Sequence, residues 1–397
     1  MHHLRPWTAA LPIALLAGSL AASLGCGVPA SGAGATSGGE ASDAGETTEG
    51  APDVTSAGPS VDAAIDAGRP HDGGGGAPSD DGADGSALPD GSTPPWLAAK
   101  QKVLAYLASI SGNKTVAGQH DKNNATPTDA TDQVTAITGK VPALWSGDFL
   151  FGGDVADRPT MIAEAQTQWA SGAIVHLMYH ACAPTGDESC SWDDIGGATP
   201  VQLTDAQWSD LVTSGGTLNQ AWLARLDVLS VFFQQLKDAG VAPLFRPQHE
   251  MNQGVFWWGG RPGPDGTRKL YQITHDYLVQ QKGFENIIWV WDLQDFSTLG
   301  TDVSDYDPGQ DYYDIAALDV YDGPYDTSKY TTMTGAAGSK LLAIGECSTL
   351  PTADELLAQP LWTFFMLWPD FISDNQAALP ALYAAPNVVT RDQMPGW

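Results

Sequence analysis

The sequence predicts an α/β protein of the (β/α)8 TIM-barrel class, preceded by an export signal and a disordered linker. Three observations carry that expectation. Eight short, continuous apolar runs recur after Trp96, as parallel strands buried on both faces require. Amphipathic segments separate them, over about 300 residues, the span of one such barrel. The ends of the runs carry charged and aromatic residues, on the face where barrel active sites lie. A doubly wound open sheet is the alternative architecture.

The chain has 397 residues and 43% hydrophobic content, enough for a sizeable core. It begins with His2, His3 and Arg5, an apolar run through Leu24, small residues and Cys26, the pattern of a secretory signal over residues 1–26. The Ser23-Leu24-Gly25-Cys26 end resembles a bacterial lipoprotein cleavage site, in which Cys26 would be acylated and tether the protein to a membrane. Ser23 stands where such sites usually carry Leu, so plain cleavage stays open. Residues 27–95 are Gly, Ala, Ser, Asp and Pro with almost no large apolar side chain, too little buried surface to fold. They read as a flexible tether, and residues 96–397 as the catalytic barrel. The expected location is extracellular or at the cell surface.

A formal net charge of −29, from 18 Lys+Arg against 47 Asp+Glu, opposes binding to phosphate backbones, so no nucleic-acid partner is expected. Beyond Cys26 the cysteines are Cys182, Cys190 and Cys347. In an exported protein the close pair predicts a disulfide that pins a short loop, leaving Cys347 as a buried thiol. No CxxC or HxxxH spacing accompanies them, and His249-Glu250-Met251-Asn252-Gln253 lacks the second His of a zinc-binding HExxH. No metal and no cofactor are expected.

The candidate strands are Thr115–Gly118, Pro142–Ser146, Ala173–Tyr179, Ala242–Phe245, Ile287–Trp291, Ile315–Tyr321, Leu341–Gly345 and Phe364–Leu367. Between the third and fourth, Trp222, Leu226, Leu229, Phe233 and Leu236 recur at helical spacing, predicting a helix over 221–239 that ends at Gly240.

Two carboxylates then fall on one rim: Glu250 after the fourth strand and Glu346 after the seventh. Glycoside hydrolysis needs such a pair, one to protonate the leaving oxygen and one to attack carbon or activate water. Other strand ends add His120, Asp148, Phe149, His180, Asp319, Tyr321, Asp322 and Trp368, the last a candidate floor for a sugar ring. Arg246 beside the strand-seven carboxylate would favour its ionised form, and the Trp-rich stretch would favour a neutral Glu250.

The block PLFRPQHEMNQGVFWWGG, followed by NIIWVW, YYDIAALDVYDGP and LLAIGECS, resembles glycoside hydrolase family 26, the β-mannanase family of a large clan of retaining (β/α)8 hydrolases. The resemblance implies Glu250 as acid/base and Glu346 as nucleophile, with Tyr321 hydrogen-bonded to the latter. It places His249 beside the acid/base and has His180, Arg246, Trp257, Trp258 and Trp368 among the residues that shape the sugar site. The implied activity is endo-β-1,4-mannanase, acting as a monomer on a β-linked polysaccharide. Val255 and Gln253 depart from the family, which often carries Trp and Gly there. A β-1,3-xylanase, a mixed-linkage β-glucanase or a non-catalytic glycan-binding barrel therefore remain as alternatives.

Overall fold

The computed structural model describes residues 93–397; the signal, Cys26 and nearly all of the linker lie outside them. A helix, Pro95–Ile110, opens this part, with proline in its first turn where the missing N–H costs no intrahelical bond. Eight parallel strands follow: β1 Thr115–His120, β2 Leu144–Asp148, β3 Ile174–Met178, β4 Leu244–Arg246, β5 Ile288–Gln294, β6 Ile315–Val320, β7 Leu341–Cys347 and β8 Trp362–Leu367. Each pairs with the next, and β1 pairs with both β2 and β8, so the sheet closes on itself as a (β/α)8 barrel.

A two-residue strand, β9 Val388–Val389, was not expected from the sequence. It pairs with Thr115 and Val116 at the start of β1, below the point where β2 joins at Gly118. The chain end thus supplies backbone partners where β1 has none from β2.

Strand bounds depart from the apolar runs where backbone chemistry intervenes. Pro243 has no N–H to give the ladder, and β4 begins only at Leu244. Register shifts at Leu318/Asp319 and between Ile344 and Cys347 let β7 continue through Glu346, which lies within the strand rather than after it. The helix expected over 221–239 spans Thr217–Asp238, burying Trp222, Leu226, Leu229, Phe233 and Leu236 against the barrel.

Cys182 and Cys190 form the expected disulfide, and Cys347 is a buried thiol. The loop they close is held at further points. Arg225 donates to the carbonyls of Cys182, Ala183, Gly186 and Asp187, while Arg158 pairs with Glu188 at 2.7 Å. Removing the cross-link with Cys182→Ser/Cys190→Ser should lower unfolding free energy by about 2–4 kcal/mol. Chemical denaturation checks this, and a loss below about 0.5 kcal/mol would show that the arginine contacts alone hold the loop.

Candidate active site

Glu250 lies four residues beyond β4, and the turn that carries it is unusual. It is the one non-glycine residue with positive φ among those described, at 49°. Its backbone N–H donates to Asp292 Oδ2 at 2.8 Å, which holds the left-handed conformation and aims the side chain into the barrel mouth. Glu346 reaches the same place from β7. Its predecessor must be glycine: a Cβ at Gly345 would lie 2.5 Å from Asp319 Oδ1 and 2.8 Å from Asp292 Oδ1.

One oxygen each of Glu250, Asp319 and Glu346 falls within 4.8 Å of the others. That proximity would suit a cation, but Arg246 already donates to Asp319 and Glu346, so two of the three carboxylates are charge-compensated. The buried guanidinium also reaches Asp292 Oδ2 at 3.0 Å. Burial alone would lower Arg246; Asp319, Asp292 and Glu346 outweigh it and hold the group well above the ordinary arginine value. It remains a fixed cation.

The two glutamates occupy different surroundings. Glu250 is 5% exposed and Glu346 3%. Glu346 receives one donor on each oxygen, Arg246 on Oε1 and the Tyr321 hydroxyl on Oε2 at 2.5 Å. Burial and the Glu346 charge raise the Tyr321 phenol well above its usual range, keeping it a donor. Glu250 has no cation in hydrogen-bond contact. Burial, then the charges of Glu346 and Asp292, push its carboxyl well above the usual glutamate value. One group is prepared to give a proton, and the other accepts a hydrogen bond on each of its oxygens.

Aromatic and imidazole rings enclose the space next to this pair. Asp148 Oδ2 binds His180 Nδ1 at 2.5 Å, and its Oδ1 accepts the His180 backbone N–H at 3.1 Å, fixing the ring. Burial would raise Asp148, but the charge and hydrogen bonds of His180 outweigh it and hold Asp148 below its ordinary value. The His180 ring meets His249 at 4.5 Å and Trp368 at 6.2 Å. Burial first, then His180 and Arg246, drive His249 well below the ordinary histidine value, so it is a neutral ring beside Glu250. Trp368, partly exposed after β8, stacks on His120 at 4.4 Å with 9° between the planes.

Beneath that platform, Ser146 Oγ lies 2.8 Å from Nδ1 of both His120 and His176. One hydroxyl proton cannot serve both, so at least one imidazole donates its Nδ1–H to the serine oxygen. Burial lowers His120 to about 3 and His176 well below its usual value, so this support is uncharged.

Trp257 requires a correction. Expected among the sugar-contacting residues, it is fully buried, packs edge-on against Trp222 of helix Thr217–Asp238 and donates its indole N–H to Ala181 O at 2.7 Å. Its neighbours Phe256 and Trp258 stack on each other at 4.5 Å and face His180 and His249. The three aromatics lie in a turn closed by the Gly259 N–H donating to Phe256 O at 3.0 Å, and the middle one turns into the helix layer.

The structure thus brings Glu250, Glu346, Arg246, Tyr321, His180, His249 and Trp368 together, with Trp258 as an equally buried ring behind the histidines that donates its indole N–H to His249 O at 2.9 Å, and leaves Trp257 outside. Sequence reasoning missed Asp292, which holds both the Glu250 turn and Arg246. Its signal was its place immediately after the fifth apolar run, Ile287–Trp291, the same place that marked the other candidates. It also missed Asp295, which accepts the backbone N–H groups of Tyr321 and Asp322 and pairs with Lys329 at 2.6 Å. Trp192, just beyond the disulfide loop, meets His180 at 5.7 Å; its position beside Cys190 was the only clue.

The sequence profile of glycosyl hydrolase family 26 matches residues 93–393. A mannan endo-1,4-beta-mannosidase from Thermothelomyces thermophilus is 33% identical over 318 residues, 76% of this chain and 62% of that protein. The chain therefore spans about three fifths of the length of that curated relative. Among solved structures, GH26A from a Muricauda species superposes with a TM-score of 0.70 at 33% identity, covering 77% of this chain and 99% of that one. The β-mannanase of a symbiotic protist of the termite Reticulitermes speratus, complexed with gluco-manno-oligosaccharide, gives 0.64 at 26% identity over 76% and 96%. A match that runs through the whole barrel and includes both carboxylate-bearing strands shows that the chain belongs to glycosyl hydrolase family 26.

Proposed function

We propose that the protein is an endo-β-1,4-mannanase that hydrolyses β-mannan-type polysaccharides by a retaining double displacement. The observation that carries this reading is the proximity of Glu250 and Glu346, with oxygens within 4.8 Å in unequal surroundings. Retaining glycosidases hold their carboxyl groups about 5–5.5 Å apart, whereas inverting ones leave about 6.5–9.5 Å for a water. In the first step a Glu346 oxygen bonds to the anomeric carbon as the glycosidic C–O bond breaks, and the Glu250 proton passes to the leaving oxygen. In the second, Glu250 takes a proton from water, the water oxygen bonds to the anomeric carbon, and the Glu346 ester bond breaks.

The proposed substrate follows the names of the relatives, mannan endo-1,4-beta-mannosidases and a β-mannanase. Endo action is supported by the shape of the rim. Trp368, His120 and His180 lie on the β8–β1–β3 side of the carboxylate pair. On the β5–β6 side an open groove of about 750 Å3, lined by Asp295, Phe296, Thr298, Asp322, Pro324 and Lys329 and by neither carboxylate, begins next to Tyr321 in the chain and would extend the cleft for further sugars. The direct test is to size the products formed from mannan, galactomannan, β-1,3-xylan and lichenan. A mixture of manno-oligosaccharides from the first two is expected; cleavage confined to xylan or lichenan would overturn the substrate. Val255, 40% exposed in the block after Glu250, is the position whose lost stacking would produce that outcome.

We also infer export, with Cys26 as a lipid-bearing tether, from residues 1–26. Cys26→Ser should move the protein from the membrane to the soluble fraction. Wild type recovered wholly soluble would end the tether reading.

A further inference from the structure

We propose that Gln253 is a positioning residue for the acid/base: its side-chain amide fixes Oε2 of Glu250 as the hydrogen-bond acceptor and so directs the transferable proton to Oε1. The inference rests on the acid/base role proposed for Glu250, and it begins with how the turn is built. Glu250 O accepts the backbone N–H of Gln253 at 3.0 Å, closing a tight turn that returns residue 253 to the carboxyl it follows. Side chains on this turn divide their work. Asn252 points away, donating to Gln294 O at 2.9 Å and Asp302 Oδ2 at 2.7 Å and accepting from the Gln294 backbone at 2.8 Å. Gln253 points inward, and its Nε2 donates to Glu250 Oε2.

The backbone of Gln253 has little freedom to leave this arrangement. Gly260 N–H donates to Met251 O at 2.9 Å, drawing the following segment over the turn. A Cβ at Gly259 would lie 2.1 Å from Gln253 O, so the segment closes down on residue 253 only because position 259 is glycine. Asn252 anchors one side and Gly259 the other. The amide is therefore presented to Glu250 by a constrained loop, although its own side chain is partly exposed.

The chemistry follows from the inventory of donors. An amide N–H prefers the carbonyl oxygen of a carboxylic acid to its hydroxyl oxygen, so the bond selects Oε2 as the carbonyl and leaves the proton on Oε1. After that proton has gone to the leaving oxygen, the same N–H stabilises the resulting carboxylate, which then acts as the base towards water. Gln253 opposes the effects of burial and of Glu346 and Asp292, which favour the neutral acid. It thereby sets how readily Glu250 alternates between its two protonation states without touching the sugar.

The test compares Gln253→Leu, which removes the donor, with Gln253→Glu, which keeps the shape and replaces the donor by a carboxylate. In the full chain, the alkaline limb of kcat/KM on a polysaccharide should move up by about 0.5–1 pH unit for Leu and further for Glu, the loss of one hydrogen bond to the anion. Activity on an aryl glycoside whose leaving group needs no proton should stay within about twofold in the first chemical step. A direct titration of the Glu250 carboxyl by carbon-13 NMR should show the same upward shift, and it reads the inference even if wild type cleaves none of the polysaccharides offered. Folded variants whose Glu250 titrates as in wild type would overturn the proposal. So would a downward shift, which would mean that the amide carbonyl, not its N–H, faces Glu250. Equal losses on both substrates would assign Gln253 a general structural role instead.

Discussion

Glu346→Ala should lose activity on polysaccharide and on activated aryl glycosides alike, by on the order of 10^5-fold, because the variant lacks the group assigned to form the covalent intermediate. Azide added to this variant should restore turnover and yield an α-azide, since a small anion can enter the space vacated by the carboxylate and attack from the same face. Glu250→Ala should behave differently. In the first step, loss of acid assistance costs about 10^2–10^4-fold where the leaving oxygen needs a proton and little where it does not, while the second step loses its base with either substrate. The kcat/KM or the pre-steady-state burst, both of which read the first step, on a polysaccharide and on an aryl glycoside with an acidic leaving group separates the two cases. The structure gives the reason for the asymmetry: Arg246 and Tyr321 both donate to Glu346, whereas Glu250 sits buried and facing a like charge. Rescue patterns exchanged between the variants would reverse the assigned roles.

Arg246→Met should be among the most destabilising single changes in the barrel, costing about 3–5 kcal/mol at neutral pH, because it strips the shared cation from Asp292, Asp319 and Glu346. The penalty should depend on pH in a defined direction. Burial raises Asp292 to about 6 from 3.8 and drives Asp319 well above its ordinary value, with Arg246 opposing both shifts. A carboxyl with a raised folded pKa gives its full stabilisation below the unfolded value and loses it as pH rises through the folded one. Removing Arg246 raises those folded values further. The variant should therefore be closest to wild type near pH 4–5 and furthest from it near pH 8. Urea denaturation across that range checks the prediction, and a penalty independent of pH would show that packing rather than charge compensation is the main loss.

Much of this architecture was legible in the sequence because parallel barrel strands are buried on both faces and read as unbroken apolar runs. Glu250, Glu346, Tyr321 and Trp368 could be found because they follow or end such runs. What the sequence concealed was set by backbone geometry and by through-space partners. The positive φ at Glu250 leaves no compositional mark, as the residue is neither glycine nor asparagine. Asp292 stood directly after the fifth apolar run, Ile287–Trp291, but only the arrival of Arg246 from β4 and of the Glu250 backbone gives it a role. Trp257 shows the converse error. A run of three aromatics suggested a common face, yet its middle member turns towards Trp222 while its neighbours stack beside the histidines. The β7 register shift, which brings Glu346 into the strand itself, depends on pairing with β6 and β8 and has no local signal.

The central claim is that Glu346 attacks the anomeric carbon directly, with Glu250 as proton donor, across a gap too small to hold an attacking water. Proton NMR of the first product formed by wild type, recorded before mutarotation, tests it most directly. Two displacements at one carbon restore the starting configuration, so the β anomer should appear first and the α anomer should grow in later at the rate of spontaneous mutarotation. Initial accumulation of the α anomer would contradict the account.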